Sequence, residues 1–454
     1  MLKGLEVSEV KWSDVKGENG ELRIDAEYFQ KEYLNEDINL SKIGIAKLGE
    51  YAFVTDGQHG YYESDPKSRI SMLAARNCKN YFADKIDALP LAKWVDDNNK
   101  RSSLQHGDII LSTRGSVGCC AIVYDEVLPA NINQDVARIK LNDSNSFVPE
   151  FVITYLNCKY GQNWMLRNQT GMVQQGLPLD KVRTIPLPLL STDFQQKIES
   201  LAKSAHAKLA ESKALYSQAE DTLLSELGLK DWQPKTESVS IKTFSDFASS
   251  GRLDAEFYQQ KYDELEGKIK SVPYKAISEL QTFNARGVQP DYISNGSVSV
   301  VNSKHILENG LDYENFEKTT TDFLKDNEKA AIKQNDILIY TTGANIGRTQ
   351  PYLLSEPAIA SNHVNILRLN EVNPLYAAFV LNSKIGRLQT EKACTGSAQA
   401  ELYPSDIENF LLPILSEKTQ DTIANLIQKS FELRAESKQL LEQAKQMVEA
   451  EIEK

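Results

Sequence analysis

The sequence predicts an α+β fold: two mixed, strand-rich domains separated by two long antiparallel helices, related by a pseudo-twofold internal repeat. Three observations carry this reading. Asp25-Ala26-Glu27-Tyr28-Phe29-Gln30 reappears as Asp254-Ala255-Glu256-Phe257-Tyr258-Gln259, an offset of 254 − 25 = 229. Gly107-Asp108-Ile109-Ile110-Leu111 returns as Asn335-Asp336-Ile337-Leu338-Ile339, at 335 − 107 = 228, and Ala210-Glu211-Ser212-Lys213 returns as Ala435-Glu436-Ser437-Lys438, at 435 − 210 = 225. Three matches in one order at nearly one spacing describe a tandem duplication of the whole chain. A binder with two-fold character suits a target that is itself two-fold, and double-stranded DNA is the foremost candidate.

Each repeat runs through the same parts. A short opening (Trp12-Ser13-Asp14 and Phe244-Ser245-Asp246) leads to the Asp-Ala-Glu segment. A long region rich in Gly, Asn, Thr and β-branched residues follows. Its short apolar runs, 108–112, 136–141, 298–301, 337–340 and 364–369, predict strands of a twisted sheet with loops between them. Residues 150–157 and 375–382 predict helices. Pro186, Pro188 and Pro413 close the region, because proline lacks the N–H that a helix interior or a central strand requires.

One long helix then ends each repeat. Ser191 and Ser416 suit the N-cap, with Thr192 and Gln195 as an alternative capping box, and Gly228 suits the stop of the first helix. Ile198, Leu201, Ala205, Lys208, Ser212, Leu215, Ala219 and Thr222 form one 3-4 stripe; Ile423, Leu426, Ser430, Leu433, Ser437, Leu440, Ala444 and Met447 form the other. Such a stripe also suits packing inside a single domain, but two equal rods after two equal domains favour an antiparallel pair. About 35 residues at about 1.5 Å each give a rod of roughly 50 Å. The expected boundaries are 1–190 and 229–415 for the domains, with 191–228 and 416–454 for the helices.

Composition excludes several classes. With 41% hydrophobic and 25% charged residues, and no apolar run near the ~20 residues of a membrane span, no membrane partner is expected. The N-terminal residues show no signal-peptide core. The five cysteines (Cys78, Cys119, Cys120, Cys158, Cys394) form no CxxC pair, which suits a reduced, cytoplasmic protein. The net charge of −12 opposes phosphate contact, but its distribution softens this. Residues 44–190 hold 16 Lys+Arg against 15 Asp+Glu (+1), and residues 1–43 hold 6 against 10 (−4). No His pair has ligand spacing, so no metal is expected. Neither Ser-His-Asp catalysis nor a P-loop has its motif. Asn373-Pro374-Leu375-Tyr376 is similar to the Asn-Pro-Pro-Tyr loop of amino-methyltransferases, but Pro374 reads better as a first-turn helix proline.

The run from Gly107 to Gly118 (Gly-Asp-Ile-Ile-Leu-Ser-Thr-Arg-Gly-Ser-Val-Gly) resembles a known family, as does its counterpart from Asn335 to Gly347. Asp56-Gly57-Gln58-His59-Gly60 and Val301-Asn302-Ser303-Lys304-His305-Ile306 add to the likeness. Together with the duplication and the two terminal helices, they are similar to the specificity subunit of type I restriction-modification systems, over the full chain from Trp12. The resemblance implies two target-recognition domains, each reading one half of a split DNA sequence. It also implies helices that space the half-sites and dock two modification methyltransferase subunits. Those partners would carry S-adenosylmethionine and methylate adenine, and nuclease-translocase (restriction) subunits would join them. The specificity chain itself would bind no cofactor and catalyse nothing. Because residues 74–95 have no close match in 285–330, the two half-sites should differ.

Base reading needs polar side chains presented from loops. In the first domain the candidates are Gln58, His59, Arg76, Asn77, Lys79, Arg114 and Gln134, followed by Asn168, Gln169, Gln174 and Gln175. In the second they are Arg286, Gln289, Asn302, Lys304, His305, Asn345, Arg348, Asn362 and Gln399. The bland reading of each is a solvated loop residue or a turn hydrogen-bonder. Tyr61, Tyr62 and Tyr81 suit sugar or base contact, though such aromatics more often fill a core. Arg114 and Arg348 stand beside glycine-bearing turns whose amides suit phosphate. Competing functions are a coiled-coil adaptor without DNA reading, a methyltransferase or nuclease with a fused reading domain, and the specificity chain of a related system that cleaves both sides of its site.

Overall fold

A four-stranded antiparallel sheet forms the centre of each repeat in this computed structural model, which describes residues 8–16, 22, 24–60, 62–79, 81–142, 146–171, 175–234, 239–394 and 400–454. The chain divides into two units, Met1–Leu209 with Ala435–Lys454, and Ala210–Arg434. The division falls inside the long helices rather than at their ends, because each unit packs its own half of both helices.

In the first unit the sheet order is Ala52–Asp56, Val136–Leu141, Ile109–Ser112, Cys120–Ile122. The second unit orders Gln281–Arg286, Val364–Leu369, Ile337–Tyr340 and Thr349–Pro351 the same way. The offsets are 281 − 52 = 229, 364 − 136 = 228, 337 − 109 = 228 and 349 − 120 = 229. Side chains alternate across a strand, so each central strand serves two cores. Ile109 and Leu111 pack with Phe151, Val152 and Tyr155 of helix Pro149–Asn157, whereas Ile110 faces Leu73, Ile132 and Val136. Ile337 and Ile339 likewise face helix Pro374–Asn382, and Leu338 faces the opposite core.

A smaller sheet repeats as well: Ser71–Leu73 pairs in parallel with Ala130–Ile132, and Val298–Val301 with Ala358–Ala360. The prolines stay out of central strands. Pro186–Pro188 pairs only with Ile45–Lys47, and Leu411–Pro413 only with Tyr274–Ala276. Pro374 opens its helix, and the Asn373 carboxamide accepts from the Leu375 and Tyr376 amides at 3.0 and 3.3 Å, so this segment is a capped helix start.

The long helices are Thr192–Glu226 and Glu417–Ile452. Ser191 Oγ accepts from the Phe194 amide at 3.3 Å, and Ser416 Oγ from the Thr419 amide at 3.2 Å. After the first helix Gly228 takes φ +59°, while Leu229 N–H bonds Leu224 O and Gly228 N–H bonds Ser225 O, a Schellman stop. Within the first unit, Ser437 Oγ donates to Ala205 O at 2.7 Å and Lys208 pairs with Glu436, so the helix segments run antiparallel. Within the second, Ser212 and Ser430 each donate to the other's carbonyl at 2.8 Å. Since 437 − 212 = 430 − 205 = 225, this is one contact made twice, with Ala205 standing where the other copy has Ser430.

The seam follows the sequence reading at the first position of each heptad and departs from it at part of the second positions. The buried positions include Ile198, Ala202, Ala205, Ser212, Ala219 and Leu223, and Ile423, Ile427, Ser430, Leu433, Ser437, Ala444 and Val448. Ala202, Leu223, Ile427 and Val448 are buried one residue after the half-buried Leu201, Thr222, Leu426 and Met447, whereas Leu433 is buried as expected and Lys208, Leu215 and Leu440 are half-buried. Leu201, Leu440 and Met447 flank the seam as partly buried residues. Small side chains occupy the seam because they let two backbones approach closely.

Candidate nucleic-acid interface

Antiparallel register brings three loops to one end of each main sheet. In the first unit Asp56 pairs with Ala137 and Ser112 with Val136, so residues 57–60, 113–119 and 133–135 share that end. The second unit repeats the frame with 287–289, 341–348 and 361–363.

The backbone of this frame is duplicated closely. A Cβ on Gly57 would stand 1.8 Å from Ile132 O, and one on Gly287 2.1 Å from Ala360 O, so both turns require glycine. Gln58 bridges to Asn133, and Val288 to Ser361. Thr113 N–H bonds Asp135 O at 2.8 Å, and Thr341 N–H bonds His363 O at 3.1 Å. Leu177 N–H bonds Thr113 O, and Leu402 N–H bonds Thr341 O, both at 2.9 Å.

The side chains on this frame are not duplicated. In the first unit the residue before the glycine is Asp56, which meets His59 Nε2 at 2.6 Å and an Arg101 nitrogen at 3.1 Å. Arg114 lies 3.7 Å from Asp135, and Gln134 Oε1 accepts from the Gly60 amide at 3.5 Å. Asp56, Thr113, Arg114, Gln134, Thr170 and Leu179 line a cleft of about 560 Å³. In the second unit the residue before the glycine is Arg286. It pairs with Glu401, donates to Leu402 O at 2.6 Å and lies 4.6 Å from the Tyr403 ring centre. The Tyr403 hydroxyl, which donates to Glu401 at 2.6 Å, and then Arg286 hold the Glu401 carboxyl below its ordinary value. An acid at one position has become a base at its repeat partner.

Among the candidates, His59, Arg76, Lys79, Arg114, Gln289 and Lys304 are exposed, and Gln58, Gln134, Arg286, Asn302, Asn345, Arg348 and Asn362 are half-buried. Gln399 lies outside the described residues, as do Gln174 and Tyr61. Of the second rank, Gln175 is exposed, Gln169 half-buried and Asn168 buried, its amide donating to Trp164 O at 2.9 Å. Tyr81 belongs to the core, its hydroxyl bonded to Thr154 Oγ1 at 2.5 Å, and Tyr62 packs beside Met72.

Two candidates require correction. Asn77 is fully buried: its carbonyl oxygen accepts from Ala74 N–H at 3.0 Å, and its amide donates to Asp84 and to Ile86 O. His305 is 1% exposed, and its Nδ1 accepts from Asn302 N–H at 3.0 Å. These are the same lock in both repeats, at 305 − 77 = 228, holding the turn after Ser71–Leu73 and after Val298–Val301. The stretch 74–95 therefore does have a structural counterpart at its start. Next to His305, Asn302 bonds Glu317 at 2.7 Å, and Lys304 pairs with the same carboxylate.

Sequence reasoning overlooked Asp56 as a partner, Arg101, Glu401 and Tyr403. Aligning Gly57 with Gly287 would have marked Asp56 against Arg286; Arg101 and Glu401 reach the site only through tertiary contact. Among the described residues, no three or more His, Cys, Asp or Glu side chains are grouped to hold a metal. No helix among them is long and apolar enough to cross a membrane.

Residues 274–446 match the family model for the type I restriction modification DNA specificity domain. The type I restriction enzyme EcoBI specificity subunit of Escherichia coli is 23% identical over 204 residues, 45% of this chain; the match spans 40% of that relative's length. The S subunit of a type I restriction-modification system from M. genitalium aligns over 90% of this chain and 95% of its own, at 11% identity and a TM-score of 0.45. The HsdS subunit from Thermoanaerobacter tengcongensis aligns over 90% and 96%, at 12% identity and a TM-score of 0.30. The chain is thus similar to the type I specificity subunits, its residues 274–446 matching the type I restriction modification DNA specificity domain.

Proposed function

We propose that this chain is a non-catalytic specificity subunit that recognises an asymmetric, bipartite DNA site. The loops of residues 57–60, 113–119 and 133–135 read one half, and their counterparts in the second unit read the other. The long helices set the unread gap and dock two modification methyltransferase subunits. Those subunits carry S-adenosylmethionine and methylate adenine, and restriction subunits join the complex in the cytoplasm. The observation that carries this reading is the pair of matching loop frames with different side chains, Asp56 in one and Arg286 in the other. A duplicated frame presents residues at equivalent places, and unlike residues there select unlike bases. Half-sites on one face of DNA lie about 34–36 Å apart, the scale of a 35-residue helix.

The test is the methylome of a methylation-free host that co-expresses this chain with the methyltransferase encoded beside it. A split adenine motif that appears only with this chain present supports the proposal. A stable complex that leaves the DNA unmodified and binds none of it selectively would point to an adaptor instead.

A further inference from the structure

Within the second unit, a cavity of about 340 Å³ lies where the 341–348 hairpin turn, the start of helix Lys384–Cys394 and the Tyr216–Glu220 segment meet. Its ionisable lining is Arg348, Lys384 and Arg387 against Glu220 and Glu308. Lys384 is already engaged: its ammonium donates to Trp232 O at 3.0 Å and lies 4.6 Å from that indole. Arg387 donates to the Asn382 carbonyl and side-chain oxygens at 3.3 and 3.1 Å, both neutral acceptors. Among the described residues the Arg348 side chain makes no hydrogen bond or ion pair, and Arg387 has no carboxylate partner. Arg348 and Arg387 both line the cavity; burial, and then the Arg348 charge, pull Arg387 below its ordinary value, and Glu308 opposes them without forming an ion pair. Both glutamates face this pair from neighbouring elements. Burial first, then Asp221 and Glu308, raise the Glu220 carboxyl above its ordinary value, and Lys384 opposes them.

The first unit supplies an internal control. At the repeat-equivalent positions it has Cys119 (348 − 229) and Gln162 (387 − 225). Gln162 turns its amide inward, donating to Gly118 O at 3.1 Å and Leu156 O at 2.7 Å. One fold thus closes this place with neutral groups in one copy and leaves two guanidiniums around a cavity in the other. Two forked donors around a polar space match the oxygens of a phosphoryl group, and the N-terminus of an 11-residue helix at the rim adds favourable potential.

We propose that this cavity is a phosphoryl-binding site of the second unit, with Arg348 and Arg387 as its ligands and no counterpart in the first. On the reading given above, which this proposal deepens, the phosphoryl group is a backbone phosphodiester of DNA entering beside the 341–348 loop. A free phosphate compound offers the same oxygens.

The test uses the full chain with its methyltransferase and compares wild type, the double variant Arg348→Gln/Arg387→Gln and the charge-preserving Arg348→Lys/Arg387→Lys. Two titrations are made: a duplex carrying the motif at several salt concentrations, and inorganic pyrophosphate followed by thermal unfolding. The glutamine pair is expected to weaken DNA binding and to lower the slope of log affinity against log salt by about 1, the share of one phosphate. The lysine pair should largely restore that slope. If only the pyrophosphate-induced rise in melting temperature is lost, with the DNA slope intact, the phosphoryl site stands and its source is a free anion. Unchanged DNA slope and unchanged pyrophosphate response would overturn the proposal. Wild type that shows no salt-sensitive binding to its motif would instead indict the DNA-reading function.

Discussion

His305 shows what a polar side chain does once the fold has claimed it. Burial lowers its pKa below the ordinary 6.5, Lys304 pushes the same way, and Glu317 and Asp312 oppose them. The unfolded chain therefore takes up this proton at a higher pH than the folded one. The stability that the neutral ring contributes is present above about pH 6.5 and is lost as pH falls through that value towards the folded pKa. Protonation at Nδ1 would also end its acceptance of the Asn302 amide. The first repeat solves the same turn with Asn77, so His305→Asn should keep the lock without the titration. We expect this variant to melt near wild type at pH 7.5 and to flatten the pH dependence of second-unit unfolding below pH 6.5. An unaltered pH profile by calorimetry would place the dependence elsewhere. Arg286 poses the opposite case, since its guanidinium is half-buried but stands at the sheet end beside Glu401. Replacing it with glutamine is expected to relax one position of the second half-site, by about 1–3 kcal/mol of discrimination, and to leave the first half-site unchanged. A variant methylome with every letter retained would make Arg286 a brace for Glu401 rather than a reader.

Elements differ in how openly they declare themselves. Val136–Leu141, Val298–Val301, Ile337–Tyr340 and Val364–Leu369 were legible to the residue, because β-branched runs bounded by Gly, Asn or Asp have few other uses. Ala52–Asp56 and Gln281–Arg286 were not: they are edge strands with polar residues, and only pairing to a neighbour defines them. The long helices were legible in extent, in capping and in the first position of each heptad; at Ala202, Leu223, Ile427 and Val448 the buried residue follows a half-buried neighbour that fits the 3-4 spacing equally well. The candidate site was legible as a set of loops around duplicated strands. Which side chains turn inward was not, because Asn77 and His305 differ in type while doing one job. The matched Ser212–Ser430 and Ser437–Ala205 contacts also fix what the helices can tolerate. An insertion in one helix alone would shift one serine off its partner carbonyl. One added turn, about 5.4 Å, placed at equivalent points of both helices, preserves pairing in each copy. Such a variant is expected to methylate a motif with an altered gap and the same half-site letters. Changed letters over an unchanged gap would count against the helices as spacers.

At the scale of the whole chain, duplication is what permits the two halves to diverge. Each unit has cores of its own: Ile109, Leu111 and Ile139 pack with Phe151 in the first, and Ile337, Ile339 and Leu367 pack with Phe379 in the second. Residues on the frame can therefore change in one copy without disturbing the other, as Asp56 against Arg286 illustrates. The charge pattern follows the same division. The net −12 is not spread evenly, and the 44–190 segment counts to +1, so phosphate contact belongs to local groups rather than to the overall field. Replacing residues 44–190 with the corresponding segment of another such protein should then exchange one half of the methylated motif and leave the other as it was. The graft must keep the apolar faces that meet Ile198, Ala205, Ala444 and Val448, or the first unit loses its hold on its helix segments. A chimera that melts like wild type yet changes both half-sites would mean that the units read DNA jointly. One that changes only the first half, with a new salt dependence set by the charge of the incoming segment, is the outcome expected of two separately built readers.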